Sequence, residues 1–335
     1  MRTFRSSANR YDDKQGIKAR GHCDENQFIC EFCAIGLALS FIMAKLILLA
    51  IAMLALCIIT CDSKLPASDV EITNLSELLF KNADNRLSKK VFFNIKANPV
   101  LRVNDTDLSS VETIRTMRPL FKNFKIDSAL PEVVTQQIEA QQDKFLDAVI
   151  KTTAMTILKN FFKKKNVDGI YNVDEAVAQR NFKHLLKVLW FTNYARMRGG
   201  AKGSSGFEHV FCKEIIYKNN VISHGELSGF HNWIHFYDQE MAKTRKLTFQ
   251  QLTRDLTLSN NFRIVKYKVS YDNMEKITSM FIGTTPDFEM SLYTLCVVMD
   301  RETCQVSLGK KRFFIKTFVF SRGQDKLVAS SYPAI

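Results

Sequence analysis

The sequence predicts an α+β fold: an N-terminal helical part, then a part built of antiparallel β-sheets flanked by helices. Two observations point there. Between residues 132 and 197, apolar residues recur at three- and four-residue spacing, as on the buried stripe of a helix. From Phe207 onward the period mostly shortens to two, the alternation of half-buried strands. Helices gathered first with strands after them is α+β order.

The chain of 335 residues divides by composition into an N-terminal extension, 1–61, and one domain, 62–335. In the extension, Ala34 to Thr60 is apolar apart from Lys45 and is long enough to span a bilayer. It reads in two ways. The whole stretch is a signal anchor, or translation starts at Met43. In the second case Met43-Ala44-Lys45 is a basic n-region and Leu46 to Ile59 is the apolar core of a signal peptide. Thr60, Cys61 and Ser63 then frame the cleavage site, and residues 1–42 are an upstream extension. Both readings send the domain into the secretory pathway, secreted or membrane-anchored with the domain outside the cytosol. The sequons Asn74-Leu75-Ser76 and Asn104-Asp105-Thr106 fit that route.

Of the eight cysteines, Cys212, Cys296 and Cys304 lie in the body. Three cysteines make no disulfide framework, but one bridge, Cys296 to Cys304, is open to them. His22, Cys23, Cys30 and Cys33 have the residue types of a zinc site and the spacing of no standard finger.

Residues 62–127 are mixed and polar, a loosely organised entry to the domain with short apolar runs such as Val91 to Ile95. A helix is expected to begin around Ser128, Pro131 and Glu132, with proline in its first turn. It continues through Val134, Ile138, Phe145 and Val149 to Lys163-Lys164-Lys165, a lysine run that suits a helix C-terminus as well as an RNA patch. A second helix spans about Asp174 to Met197, and Arg198-Gly199-Gly200 stops it. The loop Ala201 to Gly206 lacks the Lys-Ser/Thr step of a phosphate-binding P-loop.

Strands are expected at Phe207 to Phe211 and Glu214 to Tyr217. Ser228 caps a helix carrying His231, Trp233, Ile234 and Tyr237. Arg263 to Tyr271 and Ser279 to Thr284 read as strands, and Thr285-Pro286 starts a helix through Cys296. Gln305 to Leu308, Arg312 to Ser321 and Leu327 to Tyr332 close the fold as strands.

The net charge of +13, from 47 Lys+Arg against 34 Asp+Glu, favours polyanionic partners: RNA, DNA or an anionic membrane surface. Within the basic body, two histidines occupy matching contexts, Ser205-Gly206-Phe207-Glu208-His209 and Ser228-Gly229-Phe230-His231. Histidine takes and gives protons near neutral pH, so the pair suggests acid–base chemistry. His231 and His235 also share a helix face at i, i+4, which suits zinc. A zinc protease would need Glu where Asn232 stands, and a third ligand.

Beyond these pairs, the chain resembles the EndoU family, the XendoU-like poly(U)-specific endoribonucleases. The likeness rests on Trp190-Phe191-x-x-Tyr194-x-Arg196, Ser204-Ser205-Gly206-Phe207-Glu208-His209-Val210-Phe211 and Gly229-Phe230-His231-Asn232-Trp233. Phe281-Ile282-Gly283-Thr284-Thr285-Pro286-Asp287-Phe288-Glu289, Leu292-Tyr293-Thr294-Leu295-Cys296 and Ser331-Tyr332-Pro333 complete it. It covers residues 66–335 and is most specific from 188 onward. It implies metal-dependent cleavage of single-stranded RNA at uridylates, with Mn²⁺ or Ca²⁺, leaving 2′,3′-cyclic phosphate ends. It also implies a catalytic set of His209, His231 and Lys276, helped by Glu208 and Glu214. Ser279, Ser330 and Tyr332 match positions near the uridine pocket. A monomer is expected. This chain departs from the family pattern at Lys213, where glycine is usual, and at Tyr271, where tryptophan is common. The stretch between the two histidines is longer and holds His224 and Glu226. The step from Lys276 to Ser279 is one residue short, which brings Lys268 and Lys266 forward as substitutes. These departures also leave room for an EndoU-fold protein that binds RNA or membrane with little or no activity.

Overall fold

The computed structural model describes residues 43–49, 64–217, 225–259, 262–322 and 325–335. The chain divides into two units, residues 1–62 and 63–335. Of the first, residues 43–49 are described, and they are helical. The rest of the apolar stretch 34–60, and the candidate ligands between His22 and Cys33, lie outside the described residues. Among the described residues, no helix is long and apolar enough to cross a membrane.

The second unit is α+β. It opens with helix α1 (Asp69–Lys81), closed at its start by a reciprocal capping box between Ser68 and Glu71. α1 buries Ile72, Leu75, Leu79 and Phe80. A two-stranded ribbon follows, β1 (Phe92–Phe93) with β2 (Leu101–Arg102). Then come two short helices, α2 (Asp105–Ser110) and α3 (Glu112–Met117), which bury Leu108, Ile114 and Met117. The expectation of a loosely organised entry over 62–127 is therefore corrected. The short helices aim Leu108, Ile114 and Met117 at the same core as α1.

The long helix expected from Ser128 to Lys165 is two helices, α4 (Gln136–Ile150) and α5 (Thr153–Lys164). Thr135 and Thr152 cap them by accepting from Ile138 N and Met155 N. A threonine whose hydroxyl bonds its own turn ends one helix and starts the next without breaking the apolar period. Helix α6 (Glu175–Phe191) starts at the expected place and stops at Phe191, short of Met197. Tyr194 instead pairs with Ser204 in a β-bridge.

The largest correction concerns Phe207 to Phe211, which form helix α7 (Gly206–Phe211) rather than a strand. All six residues are buried, so neither alternation nor helical stripe is visible in the sequence. β3 (Lys213–Tyr217) pairs antiparallel with β4 (Gly225–Gly229), and the expected helix begins later, as α8 (Trp233–Glu240), capped by Asn232 rather than Ser228. A three-stranded antiparallel sheet follows, in the order β5 (Leu247–Thr257), β6 (Arg263–Tyr271), β7 (Met274–Ile282). β5 has no place in the sequence expectation; it is mostly exposed and polar, so it lacks an alternating pattern. Helix α9 (Pro286–Val298) is buried along its whole length. The last sheet has the order β10 (Asp325–Ala334), β9 (Lys311–Arg322), β8 (Thr303–Leu308), again antiparallel. Cys296 on α9 and Cys304 on β8 form the anticipated disulfide, and Cys212 is free and buried.

Candidate active site

His209 sits in α7. Ser205 caps that helix by accepting from Glu208 N at 3.2 Å. The backbone then links the two histidine motifs directly, because Phe230 N donates to Cys212 O and His231 N donates to Val210 O. Gly229 makes this contact: its φ is +72°, and a Cβ there would lie 2.1 Å from His209 O. Only glycine combines that backbone with that approach. Gly229→Ala is expected to cost about 2 kcal/mol or more and to force the two histidines apart. An unchanged midpoint in urea unfolding would contradict this.

The imidazoles of His209 and His231 lie with ring centroids 6.0 Å apart. Both are almost fully buried. Each is held by its Nδ1. That of His209 lies 2.5 Å from Glu214 Oε1, on the first residues of β3. That of His231 lies 2.9 Å from the carbonyl of Ser279 and 2.9 Å from Thr278 Oγ1, both on β7. A carbonyl only accepts, so His231 carries its proton on Nδ1 and leaves the Nε2 lone pair free. Burial pushes the His209 pKa down, with Arg196 and Lys276 adding to it. Burial also lowers that of His231, helped by Lys276 and His209.

Lys276 belongs to this group despite the shortened step to Ser279. It shares one face of β7 with Thr278, and its Nζ donates to Gly229 O at 2.8 Å. Burial brings its pKa down to about 7, opposed by Glu214. Of the two substitutes, Lys268 is engaged with Glu275, and Lys266 stands opposite Ser279 on β6.

Glu214 is fully buried, and its Oε1 takes both His209 Nδ1 and the guanidinium of Arg196. Burial raises its pKa while Arg196 opposes the rise. The carboxylate is the form that satisfies both donors on one oxygen. Arg196 in turn donates to Ser204 Oγ and Ala329 O. Arg196 was visible in the sequence as part of the Trp190–Arg196 motif, but nothing there showed that it buttresses Glu214. Thr278 likewise carried no sequence signal; its role follows from facing His231 across β7.

Glu208 occupies the same helix as His209, yet neither of its oxygens has a hydrogen-bond partner. Burial raises its pKa to about 10, and Glu214 and Glu132 add to the rise. Without a hydrogen-bond partner, Glu208 does not orient a histidine here. Its free oxygens, with Glu214 Oε2, are the donors a divalent cation would seek. Among the described residues, however, no three His, Cys, Asp or Glu side chains are arranged to hold a metal ion. His235 points elsewhere: its Nε2 faces Lys213 Nζ at 3.3 Å, and it packs edge-on against Phe121 and Phe230. It does not join His231 as a zinc ligand.

Of the three pocket candidates, Ser279 and Tyr332 touch His231. Ser279 Oγ donates to Pro333 O at 2.5 Å. Ser330 lies at a β-bulge of β10, opposite Phe318. The Tyr332 ring stacks on His231 at 4.8 Å and 12°. The remaining motifs hold this frame: Trp233 Nε1 donates to Thr284 O, Thr284 Oγ1 to Glu289 Oε1, and Trp190 Nε1 to Thr294 Oγ1.

Two oriented imidazoles beside a lysine, on an α+β frame, make the protein an RNA-cleaving enzyme once its relatives are considered. The family described as Endoribonuclease XendoU matches residues 59–333. Uridylate-specific endoribonuclease C of Xenopus laevis is 30% identical over 295 residues, covering 81% of this chain and 91% of the relative. Poly(U)-specific endoribonuclease of Xenopus tropicalis is 30% identical over 238 residues, covering 70% of this chain and 75% of the relative. The solved structure of XendoU, described as a splicing independent snoRNA processing endoribonuclease, aligns with a TM-score of 0.62 at 25% identity. It covers 78% of this chain and 96% of that one. The chain belongs to the XendoU endoribonuclease family.

Proposed function

We propose that this protein cuts single-stranded RNA at uridylates through the ribose 2′-OH, leaving a 2′,3′-cyclic phosphate. The observation that carries the reading is the pair of imidazoles 6.0 Å apart, each fixed through Nδ1. That fixing frees both Nε2 atoms for one phosphodiester. His231 Nε2 takes the 2′-OH proton as base. The 2′-oxygen attacks phosphorus, and the bond from phosphorus to the 5′-oxygen breaks. His209 delivers a proton to that leaving oxygen, with Glu214 supporting the imidazolium. The anionic phosphate supplies the negative charge that burial withholds, so His209 can be protonated in the complex. Lys276 stabilises charge building on the non-bridging oxygens. Ser279, Ser330 and Tyr332 are assigned to the uridine.

The apolar stretch 34–60 and the exposed Asn74 and Asn104 of the two sequons support a secreted or membrane-anchored location, with the domain outside the cytosol.

The test uses an oligonucleotide with one uridylate, with and without Mn²⁺ or Ca²⁺. Matched strands carry cytidylate or 2′-deoxyuridylate at that position. Cleavage of the first strand alone, with a cyclic phosphate end, is expected. RNA binding with no cyclic phosphate under any condition would favour a binding module that kept the fold.

A further inference from the structure

We propose that the solvent face of the β8–β9–β10 sheet is a stacking subsite for the single-stranded RNA that flanks the uridylate. The proposal rests on the cleavage reading above and extends it to nucleotides outside the uridine pocket. β9 alternates cleanly through its first half: Phe313, Ile315 and Thr317 point into the core. Phe314, Lys316, Phe318 and Phe320 fall on the other side, where an antiparallel sheet with one solvated face ordinarily carries polar residues. Here Phe314 is 45% exposed, and Phe318 and Phe320 are each 43% exposed. None of the three belongs to the hydrophobic core.

Their neighbours indicate what covers them. The Phe318 ring lies 6.4 Å from that of Tyr332 and 25° from parallel. Tyr332 in turn stacks on His231. Phe320 stacks on Tyr194 at 5.2 Å and 12°. The guanidinium of Arg196 lies over the same tyrosine at 5.3 Å and also pairs with Glu214, the partner of His209. The aromatic stripe is thus continuous with the site at both histidines. Lys316 lies on this face between Phe314 and Phe318 and opposite Tyr332. Aromatic rings interleaved with a cation fit a strand that presents bases and phosphates in turn. Alternate residues on one strand face are about 6.8 Å apart, near the reach of one extended nucleotide. Every base has a π-face, so the stripe adds affinity without sequence preference and leaves choice of base to the uridine pocket.

The experiment measures binding of two fluorescent RNAs that carry 2′-deoxyuridine at the scissile position, a dinucleotide and a heptamer. Wild type should bind the heptamer more tightly. Phe318→Ala and Phe320→Ala should each weaken heptamer binding about tenfold. Phe318→Leu and Phe320→Leu keep an apolar side chain, protect the fold, and should weaken it similarly because leucine offers no ring. Near-ultraviolet circular dichroism and the thermal midpoint establish that each variant is folded. Folded variants that bind the heptamer like wild type would overturn the subsite. So would a wild type that binds both lengths equally. A concentration-dependent dimer dispersed by the same substitutions would assign the stripe to a second copy of this chain instead, and overturn it too. If wild type binds through these rings but cleaves no uridylate strand, the cleavage reading fails and the subsite stands. If wild type cleaves and the variants bind normally, the subsite alone fails.

Discussion

Alanine at His209 or at His231 is expected to lower kcat on uridylate RNA by about 10²- to 10⁴-fold, the usual worth of a positioned acid or base. The two losses should be distinguishable by leaving group. A natural 5′-ribose oxygen needs a proton as it departs, whereas a nitrophenolate does not. On a uridine 3′-(4-nitrophenyl phosphate), His209→Ala should recover most of the wild-type rate, because the acid is no longer required. His231→Ala should stay impaired, because the 2′-OH still needs its base. The assignment comes from the Nδ1 partners. Ser279 O can only accept, so it fixes the Nδ1–H form of His231, and burial favours the neutral ring with a free Nε2 lone pair. Glu214 is the partner that stabilises a second proton on His209. Rescue of His231→Ala and not of His209→Ala would exchange the two roles. Loss of fold is not expected to mimic either result, since Arg196 still holds Glu214 when His209 is removed.

Much of the site was legible in the sequence, because the family motifs surround residues that touch. Ser205, Gly229 and Asn232 sit at a helix cap, a backbone contact and a second cap, and each needs its residue type for a local reason. The strands from Arg263 onward were legible through alternation, except that β7 begins at Met274, ahead of the expected Ser279. What the sequence concealed follows from burial and distance. α7 is buried on all sides, so its period is masked and His209 appeared to lie on a strand. Arg196 reaches Glu214 across a loop, a contact that no local spacing records. β5 is an exposed polar edge held by ladder hydrogen bonds to β6, and backbone bonding leaves no composition signal. The shortened step from Lys276 to Ser279 looked like a shift in register. On β7 the step turns out to place Lys276 and Thr278 on one face, both bonding Gly229 O.

That geometry gives Lys276 a pH dependence of its own. Burial disfavours the ammonium and brings its pKa down to about 7 in the free protein. The cation is present below that pH and is lost as pH rises through it. kcat/KM reports the free enzyme, so it should fall toward a tenfold loss per unit above about pH 7. kcat reports the complex, where the phosphodiester anion favours the charged amine, so its alkaline limb should lie higher. Lys276→Arg supplies a charge that does not titrate in this range. It should shift the alkaline fall of kcat/KM upward even if the longer side chain costs some rate. Lys276→Met keeps the buried stem without the charge and should lower kcat about 10²- to 10³-fold, the scale of losing one fixed stabiliser of the transition state. If Lys276→Arg kept the wild-type alkaline limb, that limb would belong to another group. His209 would then be the candidate, since the acid must carry its proton, and the test on the nitrophenyl substrate separates the two. With no acid required there, a limb due to His209 should vanish, and a limb due to Lys276 should remain.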